Sequence, residues 1–285
     1  MTQQLTRDEV VDLTGDSADS ALLPQDHTQT EEAAGADLAL YVGNYVPEET
    51  RRARVGCVIP AYNEEATIKE VLQGLLDQTR LPDVVHVIIN NTSDDTLWMA
   101  RELAGRHTRT YRDEVMVCDV HVHDVGKLDE RKVGALNIGF RLVEADCDYF
   151  LGVDGDTILE RNAIARLLAE IESDSRIGGI SAIYSIDYDE GENEGERFLI
   201  AGQRQQFASF NMLNLVRGRN MAVLGGQCSI FSMEALRTVR DEYRQRGPWV
   251  SDSEVEDSLL SIQLKRCGYS TKISASARAP TWGRC

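Results

Sequence analysis

The chain has 285 residues, of which 42% are hydrophobic, and it is long enough for one large α/β domain or two small ones. Its formal net charge of −17 argues against non-specific binding to nucleic acid, because most of its surface would repel phosphate groups. The sequence has no apolar run near the roughly 18 residues that cross a bilayer, and no signal-peptide pattern, so we expect a cytoplasmic protein without a transmembrane segment.

Residues 1–50 are much more acidic than the rest of the chain. They contain eleven Asp or Glu residues, against Arg7 as their one Lys or Arg. A polar, charged segment of this kind buries too little apolar surface to offset the entropy lost on ordering. We interpret residues 1–50 as a disordered N-terminal tail, with a docking segment for a partner as the alternative.

From Arg54 onward, strand-like and helix-like patterns alternate. Short apolar runs predict strands at residues 55–59, 84–89, 115–122 and 149–153. Apolar residues at helical spacing predict helices at residues 68–76, 94–104, 132–144 and 164–171. This alternation predicts an α/β fold with a mainly parallel, Rossmann-like sheet flanked by helices.

Polar segments follow three of these predicted strands. They are Pro60 to Glu64, residues 90–94, and Asp154-Gly155-Asp156. Ligands of open α/β sheets bind beyond the carboxyl ends of the strands, where these segments are expected to meet. Two carboxylates at the end of an apolar strand are costly without a positive partner, and their oxygen atoms suit Mg²⁺ or Mn²⁺. A D-x-D turn alone is a weak signal, but its convergence with two other motifs predicts a metal site.

Five segments, in the same order, resemble motifs of glycosyltransferase family 2. They are Val58 to Glu65, Lys132 to Asn137, Asp154 to Thr157, Cys228 to Leu236, and Val255-Glu256-Asp257 with Leu264, Gly268 and Tyr269. The chain resembles the soluble catalytic domain of polysaccharide synthase-like members, and this resemblance implies a GT-A fold and an inverting hexosyl- or N-acetylhexosaminyltransferase. Within a domain at residues 51–285, residues 51–157 would bind a nucleotide-sugar, expected to be a UDP-sugar, and residues 158–285 the acceptor.

The resemblance also implies roles for individual residues. The expected donor-binding residues are Pro60, Ala61, Tyr62, Glu64, Asn90, Lys132, Asp154, Gly155 and Asp156. Asp154 and Asp156 would hold Mn²⁺ or Mg²⁺ against the diphosphate, where the metal stabilises charge on the leaving group. Asp257 would be the catalytic base that takes the proton of the acceptor hydroxyl, with Glu256 shaping the acceptor pocket. The acceptor would be a carbohydrate, a lipid-linked molecule or a protein.

Two departures from the family pattern leave alternatives open. In most members the second strand ends in paired aspartates followed by Gly and Ser, and the matching positions here are Ile89, Asn90, Asn91 and Thr92, which puts the identity of the nucleotide in doubt. The chain ends 28 residues after Asp257, without the Q-x-x-R-W motif and the transmembrane helices of membrane-embedded synthases. The alternatives are therefore a nucleotide-sugar-binding module without turnover, and the catalytic fragment of a membrane polysaccharide synthase. A nucleotidyltransferase is a third, although the sequence lacks its glycine- and arginine-rich phosphate loop.

Other features have a structural and a functional interpretation. His121 and His123 share one face of a strand and could ligate a metal, but no third ligand is apparent. Trp249 is expected either to stack on an acceptor sugar or to pack in the core. Residues 187–196 predict a surface loop or a substrate lid, and the apolar residues of 207–216 predict a helical face packed under the acceptor site. Six cysteines without a C-x-x-C pair indicate neither a disulfide framework nor a zinc site.

Overall fold

A computed structural model of the chain describes residues 51–186, 193–251 and 255–281. The predicted tail at residues 1–50 lies outside this part, as do residues 187–192 of the predicted loop. The strands are β1 (Val55–Ala61), β2 (Val84–Ile89), β3 (Gly105–Tyr111), β4 (Glu114–Asp124), β5 (Tyr149–Val153), β6 (Ile177–Ile186), β7 (Cys228–Ser232) and β8 (Ser270–Thr281). The helices are α1 (Ile68–Leu76), α2 (Thr96–Arg101), α3 (Arg131–Val143), α4 (Ala163–Ile171), α5 (Glu194–Val216), α6 (Met233–Glu242) and α7 (Glu256–Arg266). None of the described helices has both the length and the apolar character of a membrane span.

The eight strands form one sheet in the order β3-β4-β2-β1-β5-β7-β6-β8. The pairs β1–β2, β1–β5, β2–β4 and β6–β8 are parallel. The pairs β3–β4, β5–β7 and β6–β7 are antiparallel. The predicted α/β architecture is therefore confirmed, and the three strands that precede the polar motifs, β1, β2 and β5, are neighbours in the centre of the sheet.

Helices cover both faces of this sheet, and every residue of β1 is buried between them. One apolar cluster joins the sheet to α1 and α4 through residues such as Leu72 and Ile164. A second cluster joins the opposite face to α3, α6 and α7 through residues such as Phe140, Leu236 and Leu264. Burying each such side chain contributes roughly 1.5–3 kcal/mol, so the central strands are the best-anchored part of the fold.

Two glycines allow α3 to lie close against β1. A Cβ atom on Gly56 of β1 would lie 2.7 Å from the Cβ atom of Val143, and a Cβ atom on Gly139 of α3 would overlap Val58. Larger residues at these positions would push the helix away from the strand. The close packing fixes the position of α3, whose first turn carries Lys132.

The edge hairpin β3–β4 differs from the expectation. The helix predicted at residues 94–104 spans only Thr96–Arg101, and the strand β3 follows it. The side chains of β3 are exposed or half-buried, so they give no apolar pattern that a sequence reading can detect. The hairpin is closed by a tight turn at Arg112 and Asp113, both with positive φ, and Arg106 donates two hydrogen bonds to the carboxylate of Asp119.

The prediction that residues 207–216 pack beneath the acceptor site is wrong for much of that face. Phe207 and Leu215 are half-buried, but Met212 is 62% exposed and Val216 is 76% exposed. α5 contacts β6 and β8, but these two residues keep most of their surface exposed. The helical spacing was detected correctly, but not the side of the helix that the fold covers.

Candidate active site

Two loops at the carboxyl edge of the sheet are joined by hydrogen bonds. The loop after β1 contains Asn63, whose φ of 53° lies in the left-handed region that Asn tolerates better than most residues. The backbone N–H of Ser93, in the loop after β2, donates to Asn63 Oδ1 at 2.9 Å. The N–H of Glu64 donates to Thr96 Oγ1 at 2.7 Å. These contacts hold the two motif segments side by side.

A pocket of about 610 Å³ lies at this edge. Its lining comprises Pro60, Ala61, Tyr62, Glu64, Asn90, Asn91, Arg131, Lys132, Asp154, Gly155 and Asp156. All nine residues expected to bind the donor are among these eleven, so the structure brings them together. Their role as donor ligands stays a prediction.

Asn91 and Arg131 line the pocket but were not among the residues predicted from the sequence. Each adjoins a predicted residue, and each has positive φ, 57° and 47° respectively. Asn91 Oδ1 accepts a hydrogen bond from the backbone N–H of Leu128 at 2.9 Å, which ties the loop after β2 to the segment before α3. The family motifs gave no reason to include either residue. Only their position next to Asn90 and Lys132 in the sequence could have suggested them.

Lys132 connects the pocket to the predicted base. Its ammonium group lies 2.7 Å from Asp154 Oδ1. A Cβ atom built on Gly226 would lie 2.6 Å from Asp257 Oδ2 and 2.9 Å from Lys132 Nζ, so both charged groups sit against the backbone of this one glycine. The ammonium of Lys132 is therefore close to two carboxylates that come from the two predicted halves of the domain.

The charges of this cluster shift the pKa values of its members. Burial lowers the pKa of Lys132, but Asp154 and Asp257 outweigh burial, and the net pKa lies well above the usual lysine value. Burial raises the pKa of Asp154 against the opposing effect of Lys132. Burial, with Glu256 and Asp154 adding to it and Lys132 opposing it, raises the pKa of Asp257 to about 6. The site therefore holds more negative charge than Lys132 alone neutralises.

We expect Gly226→Ala to lower activity without unfolding the protein. The new methyl group would displace the carboxylate of Asp257 and the ammonium of Lys132, which are flexible side-chain ends rather than backbone. A shift of about 1 Å in a reacting group is sufficient for roughly a 100-fold loss of rate. Steady-state kinetics and thermal unfolding would measure both effects. Gly202→Ala is the matched control, because no heavy atom lies within 4 Å of the Cβ built there; equal activity of the two variants would contradict the prediction.

The D-x-D segment turns sharply after β5. The backbone N–H of Asp154 donates to Gln227 O at 2.9 Å, and the N–H of Thr157 donates back to Asp154 O at 3.2 Å. Thr281 Oγ1 donates to the backbone oxygen of Asp156 at 3.2 Å, which anchors the turn to the end of β8. Both carboxylates of the segment line the pocket as a result.

The two carboxylates of this segment suit a hard divalent cation whose remaining ligands come from the substrate. Within the described residues, no group of three or more His, Cys, Asp and Glu side chains is arranged to hold a metal ion. Mg²⁺ characteristically binds through one or two carboxylates together with substrate phosphates and water, rather than in an all-protein cage. The carboxylates of Asp154 and Asp156, which both line the pocket, supply oxygen ligands of the kind that such a cation prefers.

Asp257 lies in the first turn of α7, and Ser261 fixes this turn. Ser261 is fully buried, and its hydroxyl donates to the backbone oxygen of Asp257 at 2.6 Å. The same hydroxyl accepts a hydrogen bond from the N–H of Leu224 at 2.8 Å. Since Leu224 precedes the glycine pair at 225 and 226, one serine joins the helix that carries Asp257 to the loop beneath its carboxylate. Glu256 begins the same helix and is half-buried.

Trp249 packs in the core, so the expectation that it binds an acceptor is corrected. Its side chain is only 3% exposed. The centre of its ring lies 5.0 Å from that of Phe150 and 6.0 Å from that of Phe231. Its backbone exchanges two hydrogen bonds with the side chain of Asn137. No face of the ring remains open for stacking on a sugar.

The structure adds a third imidazole to the pair seen in the sequence. His86 of β2 lies beside His121 in the parallel register, and its ring centre is 5.1 Å from those of both His121 and His123. Its Nδ1 atom lies 2.9 Å from His123 Nε2, within hydrogen-bond distance. Within the described part of the chain, the three imidazoles are not arranged to hold a metal ion. Burial, and then the neighbouring imidazoles, lower the pKa of His86 to about 4.

Acidification is expected to destabilise the protein through His86. Its folded pKa lies below the ordinary value of 6.5, so the unfolded chain binds the proton more readily, and this part of the stability is lost as the pH falls below 6.5 towards 4. Between pH 7 and pH 5 we expect a loss of about 2 kcal/mol in the free energy of unfolding. Urea unfolding of the wild type and of His86→Phe at both pH values would measure it. His107→Gln is the control, and an unchanged pH dependence in His86→Phe would contradict the prediction.

Comparison with known proteins agrees with this geometry. The family described as "Glycosyl transferase family 2" matches residues 57–240. The poly-β-1,6-N-acetyl-D-glucosamine synthase of Staphylococcus epidermidis is 22% identical over 234 residues, which are 80% of this chain and 49% of that protein. The hyaluronan synthase of Streptococcus pyogenes is 30% identical over 125 residues, which are 43% of this chain and 27% of that protein. The chain thus spans about half the length, or less, of these curated relatives.

Solved structures with a similar fold include two glycosyltransferases. The mannosyltransferase PcManGT from Pyrobaculum calidifontis, in complex with GDP-Man and Mn²⁺, matches with a TM-score of 0.54 and 19% identity over 81% of this chain and 57% of that one. TarS 1–349 from S. aureus, in complex with UDP, matches with a TM-score of 0.52 and 15% identity over 80% of this chain and 60% of that one. At these identities the likeness concerns the fold. The family match and the fold together show that the chain has the GT-A fold and belongs to glycosyltransferase family 2.

Proposed function

We propose that this protein transfers a sugar from a UDP-sugar to an acceptor hydroxyl with inversion at the anomeric carbon. The pocket at the carboxyl ends of β1, β2 and β5 binds the nucleotide-sugar. Asp154 and Asp156 hold Mn²⁺ or Mg²⁺, and Asp257 is the catalytic base. Glu256, beside it, faces the acceptor. The sugar is a hexose or an N-acetylhexosamine.

The position of Lys132 close to two carboxylates is the observation that carries this proposal. Its ammonium group lies 2.7 Å from Asp154 Oδ1 and packs against the same glycine, Gly226, as the carboxylate of Asp257. A nucleotide-sugar whose diphosphate reaches Asp156 therefore presents its sugar near Asp257. In-line displacement requires the acceptor to enter from the side opposite the leaving diphosphate, and we assign that side to Asp257.

Each charged residue has one task in this mechanism. Asp257 accepts the proton of the acceptor hydroxyl as that oxygen attacks the anomeric carbon. Lys132 keeps Asp154 in place and adds positive charge near the diphosphate. A bound divalent cation supplies the charge that stabilises the leaving nucleoside diphosphate. Asn90, which is 3% exposed, is available to hydrogen-bond the nucleotide as both donor and acceptor.

Two solved structures of similar fold support a nucleotide-sugar donor and a divalent metal. PcManGT was solved with GDP-Man and Mn²⁺, and TarS with UDP. The curated relatives are named as polymer synthases, and they extend well beyond the matched region. Our proposal for this chain therefore concerns the single transfer step, and polymer synthesis is not required by it.

A thermal-shift screen with product analysis tests the proposal. UDP-sugars are expected to raise the unfolding temperature only with Mn²⁺ or Mg²⁺ present, because preferential binding to the folded state raises stability by mass action. The same mixtures, supplied with acceptor, should release UDP. Nucleotide binding without any UDP release across an acceptor panel would favour the binding module, and pyrophosphate as the product would favour a nucleotidyltransferase.

A further inference from the structure

Two buried serines hold the glycine pair beside Asp257. Ser181 of β6 is fully buried, Ser229 of β7 is 2% exposed, and the two residues face each other in the antiparallel register. Their Oγ atoms lie 2.6 Å apart. Two consecutive glycines are the most flexible kind of backbone, so their position has to be imposed by neighbouring groups. These two hydroxyl groups are placed to do so.

Both serines bind the peptide groups of Gly225. The N–H of Gly225 donates to Ser181 Oγ at 2.8 Å, and the hydroxyl of Ser229 donates to Gly225 O at 2.7 Å. A hydroxyl has one proton to donate, so the proton between the two serines comes from Ser181. The three hydrogen bonds therefore form a closed ring with one direction. We call this ring, formed by Ser181, Ser229 and Gly225, the serine clamp.

Tyr184 restricts the same glycine. A Cβ atom built on Gly225 would overlap the hydroxyl group and the ring of Tyr184. Tyr184 is only 4% exposed, and its hydroxyl donates to Cys228 O at 3.5 Å. Gly225 is thus packed against a buried ring in addition to its hydrogen bonds, and it has little room to move.

The residues that follow the clamped glycine reach the catalytic cluster. A Cβ atom on Gly226 would lie 2.6 Å from Asp257 Oδ2 and 2.9 Å from Lys132 Nζ. The backbone oxygen of Gln227, the next residue, accepts the N–H of Asp154 at 2.9 Å. A displacement of the clamped glycine would therefore move the backbone against which the proposed base is packed.

We propose that Ser181 and Ser229 are positioning residues for sugar transfer, which hold Gly225 and thereby fix where the carboxylate of Asp257 meets the acceptor. This inference rests on the proposed function, in which Asp257 is the base. The serines lie outside the nucleotide pocket, so they act on the transfer step and not on donor binding.

Release of UDP from UDP-glucose or UDP-N-acetylglucosamine with Mn²⁺ tests this role, with water as the acceptor. The water oxygen bonds to the anomeric carbon as the bond to UDP breaks, and Asp257 takes the proton. Ser181→Ala and Ser229→Ala should each lower kcat about tenfold, less than the roughly 100-fold loss for a shift of about 1 Å, because other contacts of the loop remain. The KM for the donor should stay within about twofold. Since either change opens the ring, the double variant should lose no more than about tenfold.

Ser232→Ala is the matched control. Ser232 also lies in β7, and its hydroxyl accepts a hydrogen bond from the N–H of Ala235 at the start of α6. Its loss should lower the unfolding temperature but leave kcat unchanged. Ser181→Cys retains a side chain that donates and accepts weakly, so it should fold and show a kcat between those of the wild type and Ser181→Ala. This variant keeps the test decisive if an alanine variant does not fold.

A double-mutant cycle with Asp257→Asn measures whether the clamp acts through the base. In the Asp257→Asn protein, Ser229→Ala should lower the residual rate less than about twofold. A tenfold loss in that background, a loss confined to the KM for the donor, or serine variants with the kcat of Ser232→Ala would overturn the positioning role while leaving the transferase in place. A wild type that releases no UDP with any acceptor would overturn the proposed function, and the positioning role with it.

Discussion

Replacing Asp257 by Asn is expected to slow sugar transfer at least about 100-fold, because the acceptor hydroxyl loses the group that takes its proton. Donor binding should not change, since Asp257 does not line the nucleotide pocket. Rates of UDP release with and without acceptor would measure the loss, and thermal shifts with UDP and Mn²⁺ would measure donor binding.

Loss of stability does not explain such a result. Burial raises the pKa of Asp257 to about 6, so in the metal-free protein its ionised form at pH 7 is disfavoured by folding. A neutral amide removes that penalty, and the variant should be at least as stable as the wild type. Glu234→Gln is the matched control, because this exposed carboxylate also lies in the first turn of a helix. An Asp257→Asn protein with wild-type turnover would refute the assignment of the base.

The second large effect is expected at Asp156. Asp156→Asn should abolish the metal-dependent stabilisation by UDP, because an uncharged amide binds a hard cation much more weakly than a carboxylate does. In the wild type, UDP at 100 times its dissociation constant should add about 2.7 kcal/mol to the free energy of unfolding when Mn²⁺ is present. EDTA should remove this gain in the wild type and change nothing in the variant.

Asp146→Asn is the control for Asp156→Asn. Asp146 is exposed and lies between α3 and β5, outside the nucleotide pocket. The Asp146→Asn variant should keep the full metal-dependent stabilisation by UDP. If Asp156→Asn kept that shift with an unchanged dissociation constant for Mn²⁺, the D-x-D segment would not be the metal site.

The donor half of this site could be predicted from the sequence because its signals are local. Apolar runs set the strands, and each polar motif follows its strand within a few residues. Parallel strands place such segments at one edge, so Pro60, Asn90 and Asp154 had to converge if β1, β2 and β5 were neighbours, as they are. Asn91 and Arg131, which also line the pocket, were missed because their positive φ leaves no periodic trace in the sequence.

Other features of the molecule could not be predicted, because they depend on contacts between segments that are distant in the sequence. Periodicity detected the apolar residues of α5 but could not decide which side the sheet would cover, and Val216 remains 76% exposed. Trp249 had two equally good interpretations until Phe150 and Phe231 were placed around its ring. His86 joined His121 and His123 only through the register of β2 with β4.

The D-x-D segment and the strand before it were determined by the sequence itself, since five residues of apolar strand and a tight acidic turn need no distant partner to be detected. The tertiary structure alone decided that Lys132, Asp154 and Asp257 form one charged cluster around Gly226. The physical reason is that local propensities fix where strands and turns occur, whereas the pairing of a lysine with carboxylates 22 and 125 positions away depends on how the whole sheet is assembled.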